Sequence, residues 1–254
     1  MKNEKPKITL KSQAEIEKMK KAGHIAALVL DTIKKEIKSG MTTKQIDQMA
    51  EKIILENQAS CSFKGFGGFP AATCISINEE VVHGIPTNRV IKDGDLVGID
   101  VGVYFLGYHS DTAVTIGVGE ISENKQKLLD ITQEALKNGI AATKSGVCLG
   151  DVQAAIQTTI ESAGFGVIRD LSGHGVGTQL QEPPSIPNFG RKGTGLILKE
   201  GMTIALEPMV STGDYHVKIK ADGWAIVTAD GSLSAHFEHT IAVTKKGAEI
   251  LTQL

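Results

Sequence analysis

Cysteine is sparse in this chain, and the little present excludes two kinds of scaffold. Cys61, Cys74 and Cys148 are odd in number and include no CxxC pair, which argues against a disulfide frame and a thiolate zinc knuckle and for reduced thiols. Net charge is also nearly absent. The 27 Lys and Arg against 29 Asp and Glu leave −2, and the lysines are spread out, so no extended nucleic-acid surface or membrane face is expected. Long apolar runs are missing as well. The longest near the N-terminus, Ile25 to Leu30, follows a start that mixes Lys2, Glu4, Lys5 and Lys7, and is too short for a signal h-region or a membrane span. The expectation is a cytoplasmic protein.

What is present is an ordinary enzyme composition, 41% hydrophobic and 22% charged over 254 residues, enough to bury a substantial core. Ser12-Gln13-Ala14-Glu15 has the capping-box pattern ahead of a helical period that runs to Lys38 and stops at Ser39-Gly40. Thr42-Thr43-Lys44-Gln45 opens a second helix reaching about Asn57. A further helix from about Ser122 stops at Ser145-Gly146, and another, near Gly150 to Ala163, ends at Gly164.

Two apolar strands then lead into lone carboxylates: Lys92-Asp93-Gly94-Asp95-Leu96-Val97-Gly98-Ile99-Asp100 and Lys199-Glu200-Gly201-Met202-Thr203-Ile204-Ala205-Leu206-Glu207. Lys38-Ser39-Gly40 falls on Lys144-Ser145-Gly146 at an offset of 106, and Lys92, Gly94 and Asp100 fall on Lys199, Gly201 and Glu207 at 107. A nearly constant offset across helix, helix and strand reads as a degenerate internal duplication, with halves at about 12–117 and 122–248. No Pro-rich or Ser-rich linker separates the copies, so the spacing predicts one domain over 1–254. Its class is α+β, with pseudo-two-fold duplicated antiparallel sheets covered on one side by helices and ligands gathered where the two sheets face each other.

An ionised acid at the end of an interior strand is costly unless it meets a cation or several donors. Each half supplies a second acid: Asp111, returned toward Asp100 by a hairpin, and Glu238, ahead of the strand Ile241-Ala242-Val243. Four carboxylates balance two divalent cations, and oxygen ligands with one imidazole suit Mn, Fe, Co or Zn in a hydrolytic centre. The imidazole candidate is His174, between Gly173 and Gly175, whose small size permits close backbone packing. Singly each has a plainer reading: Asp111 capping a turn, Glu238 on a surface strand, Asp100 paired in the core, His174 in a turn. Jointly they compose a balanced metal shell.

These residues also carry a resemblance. Asn78-Glu79-Glu80-Val81-Val82-His83-Gly84-Ile85-Pro86, Ser110-Asp111-Thr112, Ser172-Gly173-His174-Gly175-Val176-Gly177, Glu207-Pro208-Met209-Val210 and Glu238-His239-Thr240 resemble, in order, the bacterial type I methionine aminopeptidases, metallopeptidases of pita-bread fold. The resemblance implies two divalent ions (Co, Mn, Fe or Zn), with Asp111 and Glu238 bridging both, Asp100 completing one, and His174 with Glu207 completing the other. A water shared by two cations has its pKa lowered from about 16 toward neutrality. Glu207 would accept its proton, and His83 would contact the scissile amide and assist the leaving nitrogen or the tetrahedral intermediate. The plainer reading of His83 is a turn histidine.

The resemblance further implies a methionine pocket walled by Phe63, Phe66, Phe69, Cys74 and Trp224, soft or aromatic surfaces that suit a thioether; a plain core role stays open for each. The glycines 65, 67 and 68 make this stretch a rim rather than a regular element. The implied substrate is the N-terminus of a nascent polypeptide with a small second residue, on a monomeric enzyme; transient ribosome association follows from substrate logic, without a motif for it. Two departures stand out. Gln181 occupies the place of a usual second histidine, and it donates an N–H but relays no proton; Gly67 and Phe69 stand where some relatives have histidine and tyrosine. The competing readings are a proline-directed aminopeptidase or prolidase, which normally carries an added N-terminal domain, and a non-catalytic binding protein that kept the fold.

Overall fold

Ser12 and Thr42 begin the first two helices with complete capping boxes. In each, the hydroxyl accepts the backbone N–H three residues on, and the Glu15 or Gln45 side chain accepts the cap's own N–H. The computed structural model describes residues 8–254; Lys2, Glu4, Lys5 and Lys7 lie outside the described residues. In chain order the elements are α1 (Gln13–Glu36), α2 (Thr43–Glu56), β1 (Ser60–Cys61), β2 (Thr73–Ile77), β3 (Glu80–Val82), β4 (Leu96–Phe105) and β5 (Tyr108–Gly117). There follow α3 (Glu123–Ala142), α4 (Leu149–Ser162), β6 (Gly166–Val167), β7 (Ser172–Gly175), β8 (Glu182–Pro187) and β9 (Thr203–Leu206). The chain ends with β10 (Met209–Ser211), β11 (Val217–Ile219), β12 (Ile226–Thr228), β13 (Ser234–His236), β14 (Glu238–Val243) and β15 (Ala248–Ile250).

The duplication is written into backbone hydrogen bonds. Thr42 bridges Val90 and Cys148 bridges Ile197; Gly40 N–H donates to Ile91 O, and Gly146 N–H to Leu198 O. The same 106 and 107 offsets relate these pairs, so the halves share a way of tying a helix start to a strand start.

Two facing sheets were expected, but nine strands drawn from both halves join in one antiparallel sheet, ordered β1-β4-β5-β14-β9-β7-β8, with β2 on β4 and β15 on β14, beside two three-stranded sheets, β13-β10-β6 and β11-β12-β3. The edge of β5 left free by β4 takes β14, which removes an open edge from the interior. Asp100 also differs from the expectation: it lies mid-strand, because β4 continues to Phe105 and turns through Leu106 and Gly107, both at positive φ (52° and 86°), as a tight hairpin requires. Glu207 does sit just past its strand, where Pro208 has no N–H to extend the ladder.

One face of the sheet belongs to the helices. Val97, Ile99, Val101 and Val103 of β4 pack with Ala22, Ala26, Val29 and Ile33 of α1 and with Ile46, Ala50 and Ile54 of α2. In the other half Ile204 and Leu206 pack with Leu128 and Leu136 of α3 and Ile156 of α4. By strand alternation, the opposite face of β4 and β5 carries Gly98, Asp100 and Gly102 against Thr115, Ala113 and Asp111. Among the described residues no helix is long and apolar enough to cross a membrane.

The segment before α1 is fastened by a buried ion pair. Lys11 Nζ meets Glu182, the two side chains being 2% and 9% exposed, while Lys11 N–H donates to Gly201 O. Glu182 also accepts the Gln179 N–H, and the Lys11 charge and these donors hold its pKa below the usual value against the opposing effect of burial. Lys11→Met strands this carboxylate and is expected to cost about 3 kcal/mol in urea unfolding, most of it recovered in Lys11→Met/Glu182→Leu. A single mutant as stable as the parent would show that the pair is idle.

Candidate metal centre

Ala113 organises the site. It stands opposite Asp100 of β4 on one side and Glu238 of β14 on the other, so three strands place two acids across a methyl group. Asp111 lies two residues along β5, opposite Gly102, hence diagonal to Asp100 on the same face. Gly102 is obligatory there: a Cβ would lie 2.7 Å from the Phe63 ring, which leans over this position.

His174 arrives on β7. A Cβ on Gly173 would lie 2.3 Å from Ala205 O, and one on Gly175 would lie 2.5 Å from Pro183 O, so only glycines let β7 wedge between β9 and β8. That close approach brings His174 Nε2 to 3.6 Å from Glu207 Oε1 and 3.9 Å from Asp111 Oδ2. Ligand atoms of Asp111, His174 and Glu238 all lie within 4.8 Å of one another. Asp100 and Glu207 complete the set of four acids and one imidazole that lines one cavity of about 380 Å³.

The electrostatics are those of a cation site. Burial first, and the Asp111 charge next, push the carboxyls of Asp100, Glu207 and Glu238 well above the usual carboxylate range. Burial raises Asp111 too, against the opposing pull of His174. Asp100 Oδ1, Asp111 Oδ1 and Glu238 Oε1 are buried without a hydrogen-bond partner. Acceptors left over in this way, crowded by like charge, fit divalent cations of the oxygen-and-nitrogen-loving kind.

Around the acids the cavity is apolar. Phe63, Phe69, Ala71, Cys74 and Leu180 form a buried cluster joined by Trp224, whose ring meets Phe69 edge-on at 5.1 Å and 76°. Cys74 stands opposite Asp100 in register, and burial keeps its thiol protonated. Phe66 is 48% exposed and sits at the rim, in a short 3-10 turn with Gly67 at φ 57°. His83 lines the same cavity at φ 60°. It is held there by Gly84, whose N–H donates to Ser76 Oγ and whose O accepts Ile75 N–H. Gln181 is exposed at the mouth.

Several contributors escaped the sequence reading. His236 is 4% exposed, with Nε2 at 3.8 Å from Glu207 Oε2 and 3.9 Å from Glu238 Oε2; burial, then the neighbouring His83, lowers its pKa to about 3. The backbone register between β5 and β14 covers only two pairs, and threonine hydroxyls extend it. Thr240 Oγ1 accepts Asp111 N–H and donates to Asp111 O, Thr112 donates to Glu238 O, and Thr115 donates to His236 O. Asn188 Nδ2 donates to Glu207 O. A histidine two residues from Glu238 stands in the sequence, but its burial does not show there; the threonines carried no signal there beyond strand propensity.

Known proteins match both chain and shape. The description "Metallopeptidase family M24" covers residues 17–245. A methionine aminopeptidase 1 of Bacillus subtilis is 48% identical over 97% of this chain and 100% of its own. The crystal structure of a methionine aminopeptidase from Thermotoga maritima superposes with a TM-score of 0.96 at 50% identity, over 98% of this chain and 100% of that one. A prolidase from Pyrococcus furiosus superposes at 0.76 and 26% identity over 96% of this chain, but only 65% of the prolidase is covered.

Proposed function

This chain belongs to metallopeptidase family M24, and from that premise we propose that it is a methionyl aminopeptidase, a metallo-exopeptidase that removes the initiator methionine when the next residue is small. The fold is the α+β pita-bread arrangement, and the reading treats 1–254 as one catalytic domain of two halves. Supporting it above all is the meeting of Asp111, His174 and Glu238 within 4.8 Å beside an apolar pocket.

In this proposal Asp100, Asp111, His174, Glu207 and Glu238 hold two divalent ions of Co, Mn, Fe or Zn type. When bound, such ions acidify a water and polarise the peptide carbonyl. Glu207, buried at the edge of the set, takes the proton of the attacking water. His83, which burial keeps neutral, donates a hydrogen bond to the scissile amide and assists departure of the nitrogen. His236, uncharged, stands with Nε2 at 3.8 and 3.9 Å from Glu207 and Glu238, where it adds no charge to the set. Phe63, Phe69, Cys74 and Trp224 receive the thioether side chain, Phe66 covers the rim, and Gln181 offers its amide N–H to the substrate backbone. The substrate is a nascent polypeptide in the cytoplasm; the enzyme acts as a monomer with transient ribosome association.

A proline-directed specificity is the competing reading. It is disfavoured because the matched prolidase is 26% identical at a TM-score of 0.76, whereas the Thermotoga aminopeptidase is 50% identical at 0.96. Release of methionine from Met-Ala-Ser against hydrolysis of Xaa-Pro peptides separates the two, and preferential Xaa-Pro cleavage overturns the proposal. In the same assay Gln181→His is expected to change kcat/KM by less than about tenfold and to add a pH dependence near the imidazole range. Metal-loaded protein inert on every peptide would favour a binding platform.

A further inference from the structure

The cavity does not end at His174. Ser172 and His174 lie on one face of β7, where the register sets His174 opposite Ser185 of β8. Ser172 Oγ and Ser185 Oγ are 2.8 Å apart, so Ser185 shares the face that His174 presents to the metal-ligand set. Beyond them lies a second, open groove of about 740 Å³. It has Ser172, His174 and Gln181 in common with the cavity and is walled by Ile8, Pro184 and Leu196.

A peptide cut at the ligand set puts its first side chain in the apolar pocket, and the rest of the chain must leave over a rim. The rim formed by Ser172, His174 and Gln181 is one over which the floor continues without leaving the sheet face. β8 ends the nine-stranded sheet, and no strand pairs with its outer edge among the described residues. Three of its six residues are prolines, Pro183, Pro184 and Pro187. They lack the N–H groups a strand would need to add itself, so this edge is a poor template for β-pairing. A chain lying here meets proline rings, aliphatic walls and carbonyl oxygens, contacts that do not read side-chain identity.

We propose that this groove is an extended subsite for the polypeptide on the C-terminal side of the scissile bond, engaging residues beyond the third without regard to their sequence. The inference rests on the aminopeptidase reading above and deepens it: an enzyme that must accept any downstream sequence gains affinity from a surface that grips backbone and aliphatic bulk.

The test is a length series on the metal-loaded full chain, from Met-Ala-Ser to hexapeptides that extend it. The expected kcat/KM for a hexapeptide is about tenfold that of the tripeptide, for basic, acidic and neutral extensions alike. Ser185→Trp, which fills the groove, should bring that ratio close to one, and Ser185→Ala should keep it. A hexapeptide with benzoylphenylalanine at its fifth position should photolabel residues 8, 183–185 or 195–196. A flat length series in an enzyme that cleaves the tripeptide overturns the groove and spares the activity; no tripeptide cleavage overturns the activity itself. An unmoved ratio in folded Ser185→Trp, or labelling confined to the cavity's aromatic rim at Phe66, also overturns the groove.

Discussion

Asp111→Asn is expected to lose at least about 10³-fold in turnover of Met-Ala-Ser while making the metal-free protein more stable at pH 7.5. Both effects have one cause. The Asp111 charge bears on every other acid of the set: it raises the carboxyls of Asp100, Glu207 and Glu238, and its Oδ1 has no donor in the chain. Asparagine keeps the shape and the backbone bonds to Thr240 but removes a buried charge that repels three others. Without cations that relief stabilises; with cations it deletes an oxygen ligand that the proposed centre shares between both ions. Such a trade of stability against activity is what a strained site predicts. Turnover within tenfold of the parent, or a lower melting temperature in chelator, would remove Asp111 from the centre.

Divalent metal is expected to raise the melting temperature far more at pH 7.5 than at pH 5. The four acids have folded pKa values raised above those of the unfolded chain, so in the metal-free protein their stabilising protonation is lost as pH climbs from about 4 through the folded values. The buried histidines act oppositely. His236, His239 and His109 are lowered to about 3, 4 and 4 by burial, so their contribution is intact above about 6.5 and is lost as pH falls toward those values. Above pH 6.5 only the acids still act, and metal-free stability should decline with pH. Cations compete with those protons and bind most strongly where the carboxylates are ionised. At a free Mn²⁺ concentration a hundredfold above its dissociation constant the gain is roughly 5–10 °C for a domain of this size. Equal shifts at both pH values in thermal melts with and without chelator would sink the idea that these acids are the ligands.

The helices were legible residue by residue because their signals are local. Ser12, Thr42 and Ser122 cap the starts, Gly164 at φ 84° follows the end of α4, and the three- and four-residue spacing of Ile16, Met19, Ala22, Ala26 and Val29 selects the buried stripe. The β4–β5 hairpin was legible for the same reason. That Asp100, Asp111, Glu207 and Glu238 gather in one cavity was readable too, since an acid in an apolar strand needs a partner wherever it lands. The joining of the halves was not readable, because β5 and β14 lie more than a hundred residues apart and pair through only Glu238 and His239, with three threonine hydroxyls doing the rest. Ala113 was invisible for a related reason: a methyl group means nothing until two acids stand on either side of it.

By itself, then, the chain's order of residues determined its chemistry: how many carboxylates, which imidazole, which aromatic wall, and a repeat that carries each helix pair and strand into a second copy. Only the tertiary structure decided how they meet. The single large sheet that joins the halves, the diagonal of Asp100 and Asp111, the wedge of Gly173 and Gly175 that lowers His174 onto Glu207, and the groove beyond Ser185 all depend on strands pairing across long separations. Propensity and periodicity act over a few neighbours, whereas register between distant strands is set by which buried faces and open edges must be covered once the whole chain has collapsed.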